Sequence, residues 1–244
     1  DDPQSLLPAD LAIILVKSTD TATLAGLPAL LAPEGMLLSL QNGLGNAETL
    51  AGIVGEEQVL AGCCTYGAYR PGPGVSAWGG DGEVAFGPWD GAAAAGAQLA
   101  LSVLSGAGLV TRYLEDPRPA LWQKLLLNLM INPVTALTGL RNGALREHPE
   151  AIQLMTNLAE EGLAAAALAG VALDPEEINR ALEATLAGTA GNKSSMLQDR
   201  EAGRQTEAAA ILKPVIDLAP DAAAFPHTRS LYALLASLPR EQQK

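Results

Sequence analysis

The chain is poor in the residues that carry disulfide, metal and nucleic-acid chemistry. Only two of its 244 residues are cysteine, and Cys63 and Cys64 are adjacent. Neighbouring cysteines rarely close a structural bridge because the geometry is strained. They read as small buried packing residues of a reducing cytosol. The two histidines, His148 and His227, stand far apart without HExxH context, and no zinc-ligand spacing occurs. No metal site is expected. Against 27 Asp and Glu stand 15 Lys and Arg, a formal net charge of −12. A nucleic-acid surface needs a basic stripe, so no nucleic acid is expected as a partner. A polybasic membrane contact is excluded on the same ground. No run of about 18 apolar residues occurs, and the acidic start does not read as a signal peptide. A cytoplasmic protein with no membrane partner is expected.

What is present describes a globular chain. Hydrophobic residues make up 48% and charged ones 17%, enough to build one large domain or two ordinary ones around a sizeable core.

A polar stripe runs through an apolar segment. Lys124, Asn128 and Asn132 step by four between Leu121 and Thr135. At about 3.6 residues per turn they share one helical face. Their neighbours Leu125, Leu126, Leu127, Leu129, Met130 and Ile131 predict that the helix is largely buried. Burying an ammonium and two carboxamides is costly unless each finds a partner. A second segment repeats the spacing with Ser195, Asp199, Gly203 and Glu207. Two readings stand side by side: a structural polar network between two helices, and a site for a polar ligand.

The order of elements is legible. Leu11–Lys17 reads as a strand buried on both faces. A helix over 20–32, a strand Met36–Gln41, a helix from Asn46 to Ile53 and a strand Val59–Thr65 follow. Val75–Trp78 and Glu83–Phe86 read as a hairpin across a glycine-rich turn. A helix over 92–105 and a strand Leu109–Leu114 close this half. The alternation predicts a doubly wound α/β sheet. After Pro117 only helical patterns remain, over 118–139, 148–169, 175–188, 193–218 and 226–238. Pro133 should kink the first of these. The expected domains are 1–116, Rossmann-like, and 117–244, helical.

The motifs then become familiar. Val16-Lys17-Ser18, Gln41-Asn42-Gly43-Leu44-Gly45, Leu121 to Lys124, Ile131-Asn132-Pro133-Val134-Thr135-Ala136, Asn142-Gly143, Ser194 to Asp199 and Thr206-Glu207 stand in order. Together they closely resemble the ketopantoate reductase (2-dehydropantoate 2-reductase) family over nearly the whole chain. The resemblance implies NADPH-dependent reduction of 2-dehydropantoate, a small keto acid, to (R)-pantoate, in pantothenate and coenzyme A biosynthesis. It implies a Rossmann domain followed by a helical domain. By position, Lys124 would be the general acid, polarising the ketone oxygen and delivering a proton. Asn128, Asn132, Asn142, Ser195 and Asn42 would hold substrate. Lys17, Asn42, Ala68 and Glu207 would contact NADP, with Asn192 as a further closing or cofactor contact. Each has a plainer reading. Lys17 alone is a snorkelling surface lysine, Asn42-Gly43 alone a turn, and Asp199 a brace for its helix.

The chain departs from the family in two respects, the smaller being Ile211-Leu212-Lys213-Pro214 where an Asn-Gly pair often follows the Glu207 position. The family's glycine-rich loop, which presents backbone N–H groups to the pyrophosphate, has no counterpart here. Gly43-Leu44-Gly45 follows the wrong strand and has Glu48 where a third glycine would stand. The fold is therefore expected to be a truncated Rossmann-like sheet. Its strand Leu11–Val16 should form an exposed edge, and a homodimer through exposed sheet or helical surface is expected. A related 2-keto acid reductase and a non-catalytic binding protein of the same fold are the alternatives. The 244-residue chain is expected to bind NADPH weakly or not at all. Calorimetry checks this, and a tight isotherm with one site per chain would contradict it.

Overall fold

Alternation along one strand organises the first half of the chain. In β2 (Leu31–Ser39), Met36 and Leu38 enter one apolar cluster with Leu60, Val84 and Phe86. Leu31 and Leu37 enter another with Ile14, Val59 and Ala61. Successive side chains of a strand point to opposite faces, so both faces of this sheet are buried. α1 (Asn46–Val54) covers one face with Ala47 and Leu50. α2 (Ala94–Gly106) covers the other with Ala97, Ala100 and Leu104. Helices on both faces of a mostly parallel sheet make the doubly wound arrangement expected from the sequence.

The computed structural model describes residues 7–72, 74–91 and 94–238. The chain divides into two compact units, Asp1–Leu121 and Trp122–Lys244. In the first, β1 (Ala9–Ile14), β2, β3 (Val59–Cys64), β6 (Val84–Pro88) and β7 (Thr111–Tyr113) form a five-stranded sheet in the order β1-β2-β3-β6-β7. The pairs β1–β2, β2–β3 and β6–β7 are parallel, and β3–β6 is antiparallel. β4 (Gly67–Gly72) and β5 (Val75–Gly80) form a separate antiparallel pair.

Three expectations are corrected here. β1 is not buried on both faces: it stands at the sheet edge, Ile14 is buried, and Ile13 is exposed. An edge strand has fewer neighbours to cover it. Residues 20–32 do not form an α-helix. They form two 3-10 turns, Ser18–Leu24 and Leu27–Leu30, and then enter β2. Gly26, Pro28 and Pro33 explain this, because proline and glycine oppose a continuous helix. Val75–Trp78 does not pair with Glu83–Phe86. β5 folds back on β4, while Val84, Ala85 and Phe86, all buried, insert beside β3. A continuous apolar run demands cover on both faces; the largely exposed β5 does not.

The second unit is helical. α3 (Arg118–Thr138) begins before the division and runs unbroken through Pro133. α4 (Pro149–Leu168), α5 (Pro175–Gly188), α6 (Ser195–Glu201), α7 (Ala208–Asp217) and α8 (Pro226–Ser237) follow. Leu125, Leu126, Leu129 and Met130 of α3 are fully buried, each worth roughly 2 kcal/mol of apolar burial. Gly162 of α4 admits α3 closely, since an added Cβ would press on Leu126 and Leu129. The last carbonyls of α3, Ala136 and Leu137, accept from Arg200 Nη1, which satisfies groups no helix can satisfy itself.

The expected helix over 193–218 is broken in two. After α6, Gly203 adopts φ 65°. Its N–H reaches Arg200 O at 3.0 Å, and Arg204 N–H reaches Asp199 O at 2.8 Å. These paired bonds around a left-handed residue are a Schellman stop, which glycine adopts without steric cost.

One buried carboxylate ties two of these helices. Glu161 of α4 is 8% exposed. Its Oε1 accepts from His227 N and Nδ1, both at 2.8 Å. Its Oε2 accepts from Thr228 N at 2.8 Å and Thr228 Oγ1 at 2.6 Å. The N–H groups are orphan donors of the first turn of α8. Burial alone would raise the carboxyl pKa; the hydrogen bonds from Thr228 and His227 outweigh it and hold the group below its ordinary value. A depressed carboxylate pKa contributes stability above the unfolded value of 4.5, lost as pH falls through the folded value. Glu161→Gln should cost about 2 kcal/mol in urea unfolding at neutral pH. The same substitution should flatten the loss of stability below about pH 4.5; an unchanged acid limb would refute the assignment.

Candidate active site

Two sets of the expected residues can be built up, one in each unit. In the first, Lys17 and Asn42 follow the C-terminal ends of the parallel strands β1 and β2. That is where doubly wound sheets take ligands. The two strand ends are laced together. Ser18 Oγ donates to Asn42 O at 2.6 Å, and Asn46 Nδ2 donates to the same oxygen at 3.0 Å. Gln41 Nε2 donates to Val16 O at 2.9 Å and to Thr21 Oγ1 at 2.7 Å. Thr21 in turn donates to Asn46 Oδ1 at 2.9 Å. Gly43 and Gly45 adopt φ 82° and 87°, so the turn into α1 needs residues without a side chain. A cleft opens beside it, lined by Ser39, Gln41, Gly43, Gly45, Asn46 and Trp89 among others. Lys17 and Asn42 are half-buried at this network. Ala68 is exposed on β4, opposite Trp78 in the separate two-stranded sheet.

In the second unit the polar stripe sits on α3 as its spacing predicts. Burial is graded along it: Lys124 and Asn128 are half-buried, and Asn132 is 6% exposed. The stripe therefore runs along the margin of the apolar face. One turn on, Thr135 is fully buried. Its Oγ1 lies 2.6 Å from Ser194 Oγ, and it also donates toward Ile131 O and Asn132 O, each at 3.0 Å. Ser194 is the N-cap of α6 and accepts from Leu197 N at 3.1 Å. This hydroxyl joint fixes the start of α6 against the C-terminal half of α3. Ser195, the next residue, is exposed.

The sequence spacing does not survive for Glu207. Ser195, Asp199, Gly203 and Glu207 do not share one helical face, because the chain turns at Gly203. Glu207 is half-buried as the N-cap of the next helix. Asp199 braces its own turn, with Arg204 Nε donating to Oδ1 at 2.9 Å. Asn142 and Asn192 meet through the backbone, Asn142 N donating to Asn192 O at 3.0 Å. Asn192 is exposed, and Asn142 is 7% exposed.

Sequence reading missed the Thr135–Ser194 joint. Its signal was a serine immediately before a helix, the usual N-cap. Ser194→Ala should remove both the cap and the partner of Thr135. A loss of about 1–2 kcal/mol in urea unfolding is expected; a loss below about 0.3 kcal/mol would show that the joint contributes little.

Known proteins match the chain in both units. Residues 116–238 match the family "Ketopantoate reductase PanE/ApbA C terminal", and residues 1–91 match "Ketopantoate reductase PanE/ApbA". A 2-dehydropantoate 2-reductase of Halobacterium salinarum is 38% identical over 220 residues, covering 90% of this chain and 72% of that protein. The crystal structure of a PanE/ApbA family ketopantoate reductase from Ralstonia eutropha JMP134 is 31% identical. It superposes with a TM-score of 0.85 over 96% of this chain and 77% of its own. A D-mandelate dehydrogenase solved with NADH and anilino(oxo)acetate shares the fold at 21% identity, with a TM-score of 0.89 over 97% of this chain and 77% of its own. The chain thus spans about three quarters of the length of these relatives. Family matches over both units, and identity of this order over nine tenths of the chain, make it a member of the ketopantoate reductase family of oxidoreductases.

Proposed function

We propose that the chain carries the machinery for NADPH-dependent reduction of 2-dehydropantoate to (R)-pantoate, the step that supplies pantothenate and coenzyme A biosynthesis. The observation that carries the reading is the graded stripe on α3. One cation and two carboxamides are held on a single buried helix, at the margin of its apolar face. The relatives' name, 2-dehydropantoate 2-reductase, supports this reading.

NADPH, when bound, would supply the hydride. The residues that would hold it are Lys17 and Asn42 at the two strand ends, with Ala68 and Glu207. The fit rests on the laced turn: its donors and acceptors are satisfied among themselves, so Lys17 and Asn42 are presented from rigid backbone. Lys124 acts as the general acid. Its ammonium polarises the ketone oxygen, and it gives that oxygen a proton as the carbonyl carbon is reduced. Carbon gains the hydride and oxygen gains the proton, so the keto acid becomes a hydroxy acid. Asn128, Asn132 and Ser195 orient the carboxylate and hydroxyl of the substrate, with Asn142 and Asn42 as further contacts and Asn192 as a closing or cofactor contact. Because Lys124, Asn128 and Asn132 stand on one packed helix, they cost little reorganisation when charge develops on the ketone oxygen.

Lys124→Ala removes the acid from the exposed margin of α3. Ketopantoate-dependent NADPH oxidation should fall by about 10²–10⁴-fold, while circular dichroism and the unfolding midpoint stay near those of the parent. Turnover within a factor of about two would remove Lys124 from the acid role. Turnover of other 2-keto acids with none of ketopantoate would redirect the reading to a different substrate.

A further inference from the structure

The carboxamide of Asn142 is buried, and its oxygen has no hydrogen-bond partner. A buried acceptor without a donor is costly, so such an atom asks for an explanation. Its orientation is fixed by a relay. Thr189 Oγ1 donates to Thr185 O at 2.6 Å. A carbonyl oxygen only accepts, so the single hydroxyl hydrogen of Thr189 is committed there. Thr189 Oγ1 is then left as an acceptor, and Asn142 Nδ2 donates to it at 2.9 Å. Flipping the carboxamide would set oxygen against oxygen. The nitrogen is therefore held toward Thr189, and Oδ1 is turned the other way.

The surrounding backbone holds this arrangement from the same side. Asn142 N donates to Asn192 O at 3.0 Å, and Gly143 N donates to Ala190 O at 3.2 Å. A Cβ on Gly143 would collide with Ala190, so the close approach needs glycine. Arg141 Nη1 donates to Gly191 O. The loop after α5 is thus clamped to the turn that carries Asn142.

We propose that Thr189 is a positioning residue that fixes Asn142 Oδ1 as the acceptor offered to substrate and so selects a hydroxylated 2-keto acid. The inference rests on the ketopantoate reading above. In such a substrate the carboxylate and the ketone only accept hydrogen bonds, and the hydroxyl is the one group able to donate. A site built to hydrogen-bond a hydroxyl rejects the analogue that lacks it, because its buried partner is left unpaired.

The test compares ketopantoate with its deoxy analogue 3,3-dimethyl-2-oxobutanoate. kcat/KM is measured on the 244-residue chain, Thr189→Val, Thr189→Ala and Thr189→Ser, and binding of both compounds is followed by calorimetry. The parent should favour the hydroxylated compound. Thr189→Val and Thr189→Ala should each reduce that preference about tenfold, with the deoxy compound changed by less than about threefold. Thr189→Ser, which keeps the hydroxyl, should restore the preference. Equal losses on both compounds would mean that Thr189 only supports the helix end, and an unchanged preference would mean that the relay selects nothing. Either result overturns the inference while leaving the reductase reading intact. Failure of the parent to bind or turn over ketopantoate at an NADPH concentration that calorimetry shows to saturate it would overturn both.

Discussion

The pair of buried hydroxyls at Thr135 and Ser194 is the joint on which the second unit's candidate site depends. At 2.6 Å it links the helix that carries Lys124, Asn128 and Asn132 to the first turn of the helix that begins at Ser195. Neither hydroxyl is left to water, and each has a further partner, in the backbone of α3 or of α6. A fully satisfied buried polar contact is directional, whereas the leucines around it are not. Apolar packing brings the helices together, and the hydroxyl pair sets which residue faces which.

The same division of labour recurs in the first unit. Leu37, Leu38, Leu60 and Phe86 bury the sheet without specifying the shape of its strand ends. That shape comes from Ser18, Thr21, Gln41 and Asn46, whose side chains bond one another and the backbone at Val16 and Asn42. Lys17 and Asn42 ride on this lattice. Glu161 works in the same way within the second unit, closing the first turn of α8 with four hydrogen bonds. In each case a polar group is buried only where the donors and acceptors around it answer it. Asn142 Oδ1 is the exception among the described residues, and a group that breaks this rule is where a ligand is to be sought.

Glycine and proline explain most of the difference between the elements expected and those formed. Gly203 reads in sequence as one more step on a helical face, yet it reverses the chain and separates Ser195 from Glu207. Gly26 and Pro28 turn an apparent helix into two short 3-10 turns. Pro133, by contrast, does not interrupt α3. It lies among buried neighbours, and tertiary packing offsets the hydrogen bond that proline cannot make.

Local pattern alone determined that the strands lie in the first half of the chain and that the second half is helical. It also determined that Lys124, Asn128 and Asn132 share one face, because helical spacing is a property of the backbone and needs no partner. The motifs were sufficient for the family. Only the tertiary structure decided that Val84–Phe86 joins β3 rather than β5, since pairing depends on which strand can cover an apolar run on both faces. Only it decided that Ser194, not Ser195, is the buried serine, and that Thr189 orients Asn142. Those contacts join residues 59 and 47 positions apart in the chain. Hydrogen-bond direction and burial are settled by what the fold brings alongside, and spacing along the chain carries no record of it.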